Sequence, residues 1–287
     1  MRINTNVASL NAQEQATNTN SRLSSSLEKL SSGLRINKAS DDASGLAIAD
    51  KLRTQASSIN QAVSNGNSAV SLTQIADKAM AEQSNILDTV KQKLIQASTA
   101  TTSDEGRKAI AKDVNKLLTQ LDNIAQQTNY NGINLLQASA GSTASSTALT
   151  FQMGEKAADT IELGAGIQAN TSGLEGMSDL LGGTSATAAS GFTAASARDT
   201  LAKVDSALNQ LNSWRSDVGS TQNQLESGLR NMMTQVTNIK AAESVIRDVD
   251  YAAETANFNK QNIIAQAGTY AQSQANAVQQ NITRLLQ

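Results

Sequence analysis

Apolar residues in the stretch 201–239 recur in alternating steps of three and four, which is the spacing of a heptad repeat. Only two positions of this stripe are polar, Arg215 and Gln222. A stripe this narrow is typical of an α-helix that packs lengthwise against other helices. At a rise of about 1.5 Å per residue the helix would be roughly 60 Å long. Its seam positions include Leu208, Leu211, Leu225, Leu229 and Met232.

Two further helices have the length and the spacing to pack beside it. One stripe runs through residues 43–97, and a second runs through residues 107–128. A turn at 101–106 separates them, and the Asn-Gly pair within 129–132 predicts a second turn. An antiparallel bundle is the economical arrangement of three such helices. The seam positions on these two helices are Leu52, Ile59, Val63, Leu117 and Leu121.

Both ends of the chain carry weaker amphipathic helices, in residues 1–37 and 248–287. Their many Asn, Ser and Thr residues give a helix little intrinsic support. Low hydrophobicity with a narrow stripe is typical of a segment that folds when a partner arrives. The stripe positions are Val7, Leu10, Leu23, Leu27, Leu30 and Leu34 at the amino end, and Ile264, Ala271, Ala275, Val278, Ile282 and Leu285 at the carboxyl end.

The pattern changes between the helices 107–128 and 201–239. Residues 148–153 and 160–163 predict the two strands of a β-hairpin. Residues 164–196 are rich in Gly, Ala, Ser and Thr, which indicates a surface excursion at the tip of the bundle. The predicted fold is therefore mostly α: a long antiparallel helical bundle or coiled coil with its terminal helices paired, plus a small β-hairpin.

The pair Asp41-Asp42 lies between the first two predicted helices. With Ser40, either residue could cap the second helix by accepting a backbone N–H bond. The pair could instead suggest a divalent cation, but such an ion needs more oxygen ligands than this stretch supplies. A cap or a loop contact is the favoured interpretation.

Composition excludes most catalytic chemistry. The 287 residues contain no Cys and no His, which removes disulfides, thiolate ligands and the commonest general base. The net charge of −2 comes from intermixed acidic and basic residues, so nothing suggests nucleic acid as a partner. No cofactor is predicted. Residues 1–6 do not resemble a cleaved signal peptide, and no stretch is apolar enough to insert into a membrane.

Short motifs at both ends of the chain resemble those of bacterial flagellin, the filament subunit. They are INTN at 3–6, LSSGLRIN at 30–37 and SDDASGLAIA at 40–49, then DYA at 250–252 and QAGT at 266–269. The resemblance covers about residues 1–165 and 195–287, in the same order, and it is highly specific. It implies inner-core helices at 1–42 and 248–287, a bundle domain formed by 43–165 and 195–247, and a short variable region at 166–194.

The resemblance also implies what the protein does. Copies would polymerise into the extracellular flagellar filament for motility, with terminal helices that order on assembly. The stripes of the two terminal helices would then carry the polymerisation energy. Export without a cleaved signal peptide is implied, and the expected partners are further copies, an export chaperone at the carboxy-terminal helix, and the filament cap and hook-junction proteins.

Three positions depart from a surface that an innate immune receptor reads in many flagellins. That surface carries Arg and Leu on the second helix and Glu on the third. The matching positions here hold Thr89, Lys93 and Asp113, which predicts weak signalling. A second departure is Gln279, where flagellins often have Pro.

Two other functions deserve comparison. A flagellin-like protein of the hook–filament junction shares the terminal helices, but the Asp41-Asp42 and carboxy-terminal motifs favour the filament subunit. A helical tip protein of a secretion apparatus would need a hydrophobic segment to enter membranes, which the sequence lacks. No nucleophile–base set or phosphate loop suggests an enzyme.

Overall fold

The computed structural model describes residues 5–137, 148–164, 166–174, 177 and 192–285, with only the main chain for residues 279 and 281–285. The predicted variable region at 166–194 therefore lies largely outside the described residues. Five helices are described: α1 (Val7–Ser32), α2 (Ala43–Ser98), α3 (Asp104–Gln127), α4 (Ala194–Arg247) and α5 (Tyr251–Leu285). The mostly α fold predicted from sequence is confirmed.

Two short antiparallel hairpins complete the described fold. Strand β1 (Asn129–Tyr130) pairs with β2 (Ile133–Asn134) around a turn in which Asn131 and Gly132 both have positive φ. Strand β3 (Leu149–Gln152) pairs with β4 (Thr160–Leu163), with Phe151 opposite Ile161. The second hairpin confirms the prediction for 148–163. The first lies within the predicted turn and was not predicted, because two-residue strands leave no alternating pattern.

Helix α3 begins within the predicted turn at 101–106. Ser103 caps it by accepting a hydrogen bond from the backbone N–H of Gly106 at 3.1 Å. Asp104 and Glu105 fall in its first turn, where negative charge stabilises the positive end of the helix dipole. The turn is therefore shorter than predicted, since its acidic residues already belong to the helix.

The chain forms two compact units. One consists of Met1–Ser57 with Val236–Gln287, and the other is Ser58–Gln235. In the second unit α2 runs antiparallel to both neighbours. Asp77 and then Lys91 pair with Arg215 and then Asp205 of α4, and Gln83 and then Lys93 contact Leu121 and then Asp113 of α3. Its core is aliphatic and includes Leu87, Leu94, Val114, Leu118, Val204 and Val218.

The bundle seam positions occupy this interior to different degrees. Ile59, Leu121, Leu211, Leu225, Leu229 and Met232 are buried, whereas Leu52, Val63, Leu117 and Leu208 are half-buried. Leu52 belongs to the first unit and the others to the second. Half-burial at the seam edge is expected where a stripe flanks, rather than faces, the neighbouring helix.

Candidate functional site

Helices α1 and α5 pack against each other in antiparallel directions. The side-chain amide of Asn6, which also caps α1, donates to the carbonyl of Ala275 at 3.0 Å. At the opposite end of the pair, Ser26 donates to the carboxylate of Glu254. These two contacts lie at the two ends of the contact between α1 and α5, so the pair is held along its length.

The face that each helix turns towards the other is small and polar. Its positions repeat every three or four residues and are less exposed than their neighbours, but few of them are large and apolar. On α1 they are Ser9, Ala12, Ala16, Thr19, Leu23, Ser26 and Leu30, and on α5 they are Glu254, Phe258, Gln261, Ala265, Gly268, Gln272 and Ala275. Such an interface buries little apolar area, so it stabilises the pair weakly.

Most of the larger apolar side chains of the two helices lie exposed, although Leu23, Leu30 and Phe258 are half-buried. Leu10 is 56% exposed, Ile263 is 67% exposed and Tyr270 is 74% exposed. Val7, Leu27, Ile264 and Val278 are exposed as well. Exposed apolar side chains concentrated on one helix pair indicate an interaction surface. We call these seven residues the outer apolar face.

The predicted polymerisation positions divide between the two faces. Val7, Leu10, Leu27, Ile264, Ala271 and Val278 are exposed, whereas Leu23, Leu30, Leu34 and Ala275 are half-buried. The side chains of Ile282 and Leu285 lie outside the described residues. Sequence reasoning missed Ile263 and Tyr270, which depart from strict three-four spacing. The adjacent pair Ile263-Ile264 could have indicated a second apolar surface on this helix. Neighbouring side chains on a helix point to different faces, so one packed face cannot bury both.

Hydrogen bonds join the segment that follows α1 to the segment between α4 and α5. Gly33 ends α1 in the left-handed conformation, with φ of 74°. Its carbonyl accepts a hydrogen bond from the N–H of Val249 at 3.0 Å, and the N–H of Arg35 donates to the carbonyl of Arg247 at 2.6 Å. A Cβ on Gly33 would lie 3.0 Å from the Tyr251 hydroxyl oxygen, so both its φ and its surroundings favour glycine.

Both carboxylates of Asp41-Asp42 act as hydrogen-bond acceptors. Asp42 caps α2 by accepting from the N–H of Gly45 at 2.9 Å. Asp41 accepts from the backbone N–H groups of Lys38 and Asn37, and these bonds lower the pKa of its carboxyl. These bonds agree with the favoured interpretation of the pair as a helix cap and a loop contact. Within the described parts of the chain no group of His, Cys, Asp or Glu is arranged as metal ligands.

Two of the three positions that depart from the receptor-binding surface of many flagellins, Lys93 and Asp113, contact each other. The Lys93 ammonium donates to the Asp113 carboxylate at 3.0 Å across α2 and α3, and this bond lowers the pKa of Asp113. Thr89 lies one turn away, where its hydroxyl donates to the carbonyl of Asn85 at 3.0 Å. The carboxylate at position 113 is therefore already paired within the chain.

The arrangement offers surfaces rather than reactive groups. None of the described helices is long and apolar enough to cross a membrane. The interior is mostly aliphatic, and the seven residues of the outer apolar face lie on one helix pair. Other exposed apolar side chains, such as Ile75 and Met233, are spread over α2 and α4. A long-helix fold with such a surface defines a structural, self-associating class of protein.

Comparison with known proteins identifies the family within that class. Residues 3–141 match the bacterial flagellin N-terminal helical region, and residues 201–286 match the bacterial flagellin C-terminal helical region. The flagellin of Bacillus subtilis strain 168 is 37% identical over 308 residues, with 100% of each chain covered. The chain belongs to the bacterial flagellin family.

Other relatives agree with this assignment. The flagellar filament 30.7 kDa core protein of Treponema maltophilum is 35% identical, again with 100% of each chain covered. The solved structure of a putative flagellar hook-associated protein from Vibrio parahaemolyticus has a TM-score of 0.58 and covers 72% of this chain and 99% of its own. At 13% identity that likeness concerns the fold alone. The resemblance predicted from sequence is confirmed: the chain is an extracellular structural subunit of the flagellar filament and not an enzyme.

Proposed function

We propose that copies of this chain polymerise through the outer apolar face of α1 and α5. The observation that carries the proposal is the distribution of side chains over the pair: mostly small or polar residues face inwards, while most of the large apolar residues lie exposed. Neighbouring copies would cover the exposed side chains. Because each copy would use one patch against a different patch of the next, the contact need not close and can build a helical filament.

The energetics favour this arrangement. Burying a Leu or Ile side chain completely contributes about 1.5–3 kcal/mol, so covering the exposed half of one contributes about 1 kcal/mol. The outer apolar face offers seven large apolar side chains in each copy, four of which are Leu or Ile. Covering all of them would contribute about 7 kcal/mol per copy, in addition to what the contact between α1 and α5 supplies. Assembly is therefore a further source of order for the terminal helices.

We expect these helices to become fully ordered only on polymerisation. Their sequences favour helix weakly, and their mutual interface is small and polar. A single copy would then keep its ends loosely structured, which prevents premature polymerisation. The bundle unit Ser58–Gln235 has an aliphatic core of its own and needs no neighbour.

Limited proteolysis with mass spectrometry tests this proposal. In single copies a nonspecific protease should cleave within α1 and α5, while the helices within about residues 45–245 resist, since most of their length belongs to the bundle with its buried core. In polymerised material the same cleavage sites should be protected. The bundle serves as the internal control in both samples. Terminal helices that resist equally in single copies, in a preparation that never polymerises, would contradict the proposal.

The outer apolar face also bears on the expected partners. An export chaperone bound at α5 would cover Ile263, Ile264 and Tyr270 before assembly. The filament cap and the hook-junction proteins would meet the same terminal helices at the two ends of the polymer. All three partners remain proposals that rest on the exposure of these helices and on the family to which the chain belongs.

Receptor signalling gives a separate prediction. Purified single copies should activate receptor-bearing cells weakly, because Lys93 places a charge where the recognised surface has Leu and pairs with Asp113. The combined variant Thr89→Arg, Lys93→Leu and Asp113→Glu should lower the half-maximal concentration about tenfold, which needs only about 1.4 kcal/mol. Lys116→Leu, on the same exposed side of α3, is the control. Strong activation by the unmodified chain would overturn the prediction.

A further inference from the structure

Three lysines form an exposed row on α3. Lys108, Lys112 and Lys116 follow one another at steps of four, which places them on neighbouring turns of the same side of the helix. All three are exposed, and none forms an ion pair with another residue that the structure describes. Lys93 and Arg107, which lie close by, are both paired with carboxylates. We call the three residues the lysine row.

The lysine row weakens the helix that carries it. Like charges four positions apart on a helix repel each other. The row also contributes no contact to the core, since the buried face of α3 is formed by residues such as Val114 and Leu118. The charge of Asp113 offsets part of this repulsion at Lys116, but its carboxylate is paired with Lys93. Among the described residues none of the three lysines has a carboxylate within ion-pair distance, and a neighbouring copy would supply one.

The hairpin of β3 and β4 carries the opposite charge. Glu155, Asp159 and Glu162 are exposed, and Lys156 is the one cation among residues 149–163. Asp159 accepts a hydrogen bond from the backbone N–H of Lys156, which helps to shape the turn. The two glutamates form no ion pair with a described residue. We call these three carboxylates the acidic hairpin.

The two charged groups are too far apart to meet within one copy. Position 93 of α2 lies beside the lysine row, because Lys93 pairs with Asp113. Position 66 lies beside the hairpin, because a Cβ on Gly66 would be 2.9 Å from Cε of Met153. These positions are 27 residues apart on one continuous helix, which corresponds to about 40 Å along its axis.

We propose that the lysine row of one copy binds the acidic hairpin of a neighbouring copy. The charge complementarity within a single chain selects a second copy as the partner. Because the two patches differ and are displaced along the bundle, the contact is head-to-tail and extends without closing. The inference rests on the proposed polymerisation and adds to it an electrostatic contact between bundle units.

Charge reversal and charge exchange test the contact in the full chain. Lys112→Glu alone and Glu162→Lys alone should each raise the critical concentration for polymerisation about fivefold, because an attraction becomes a repulsion. The two substitutions combined in one chain should restore it to near the unmodified value, since every contact regains opposite charges. Raising the salt concentration should shrink the difference between the unmodified chain and each single variant.

Matched controls separate the possible outcomes. Lys240→Glu reverses an exposed lysine outside the row and should leave polymerisation unchanged. Circular dichroism melting should show the same bundle unfolding for all variants. Normal polymerisation of both single variants, or a combined variant that is no better than the single ones, would overturn the contact while leaving the proposed function intact. If Lys112→Glu polymerises normally but loses binding to an added polyanion, the row serves a polyanion instead. An unmodified chain that fails to polymerise would overturn the proposed function and this contact with it.

Discussion

Replacing Leu27 with aspartate is expected to abolish polymerisation at concentrations where the unmodified chain forms filaments. Leu27 is 50% exposed on α1 and is not among the least exposed positions that face α5, so the substitution should leave most of the contact between α1 and α5 in place. In the polymer it would remove about 1 kcal/mol of apolar burial and bury a carboxylate at a cost of several kcal/mol. Because each 1.4 kcal/mol is a factor of ten, the critical concentration should rise more than about a hundredfold. Sedimentation after seeding with filament fragments measures it.

The same change on α5 should act in the same way. Ile263→Asp replaces a side chain that is 67% exposed, and it tests a position that the heptad spacing does not select. Asn20→Asp and Asn259→Asp are the matched controls, since they add the same carboxylate to exposed positions of α1 and α5 without removing an apolar side chain. Both controls should polymerise at nearly the unmodified concentration.

The bundle provides the check on folding. Melting of the unit Ser58–Gln235 should be unchanged in all four variants, because none of the substituted side chains belongs to its core. Leu30→Asp is less informative, since Leu30 is half-buried and its replacement also loosens the α1–α5 pair. Filaments formed by Leu27→Asp at the unmodified concentration would rule out the outer apolar face as the polymerisation surface.

The sequence predicted the elements that depend on periodic burial. The helices and the hairpin of β3 and β4 were visible because a repeating neighbour imposes a repeating pattern of apolar residues. The first hairpin and the start of α3 were not, since they depend on local turn and cap geometry over a few residues. Asn131 in the left-handed conformation and Ser103 as a cap decide those boundaries.

The terminal helices show where periodicity gives only part of the answer. Apolar spacing along residues 248–287 picks out Ile264, Ala271 and Val278, yet these residues are exposed. The face of α5 that packs on α1 includes Ala265 and Gly268, where small side chains let two helices approach closely, and the polar residues Gln261 and Gln272. A single sequence cannot distinguish a stripe that packs within a copy from one that packs between copies, since both are apolar and helical in spacing.

The sequence also did not predict the tertiary contacts between distant segments. Gln83 is fully buried in α2 and donates to the carbonyls of Leu121 and Ala169, at 3.2 and 2.6 Å. Asp122 accepts from both the N–H and the hydroxyl of Thr171. These bonds fix residues 169–171 on α2 and α3, but amide and hydroxyl residues in a helix ordinarily indicate a solvated face.

The sequence also does not explain why Gly66 lies inside α2, because a glycine inside a helix costs about 1 kcal/mol of stability relative to alanine. The structure explains it through Met153, which is buried between α2 and α4 beside Gly66 and Gly228. A Cβ on Gly66 would lie 2.7 Å from Cδ2 of Leu229 and 2.9 Å from Cε of Met153. The glycine thus provides the space in which the hairpin of β3 and β4 seats its methionine.

Gly66→Ala should therefore destabilise the bundle by about 1 kcal/mol, since overpacking of about 2 kcal/mol outweighs the gain in helix propensity. Gly219→Ala is the matched control in α4, because a Cβ there would meet nothing within 4 Å, and it should stabilise by about 1 kcal/mol. The melting temperatures of the two variants should differ by about 4–8 °C. In a Met153→Ala background Gly66→Ala should cost less, because the methionine no longer occupies the space that the added methyl group requires. Equal effects of Gly66→Ala in both backgrounds would show that Met153 is not what requires glycine at this position.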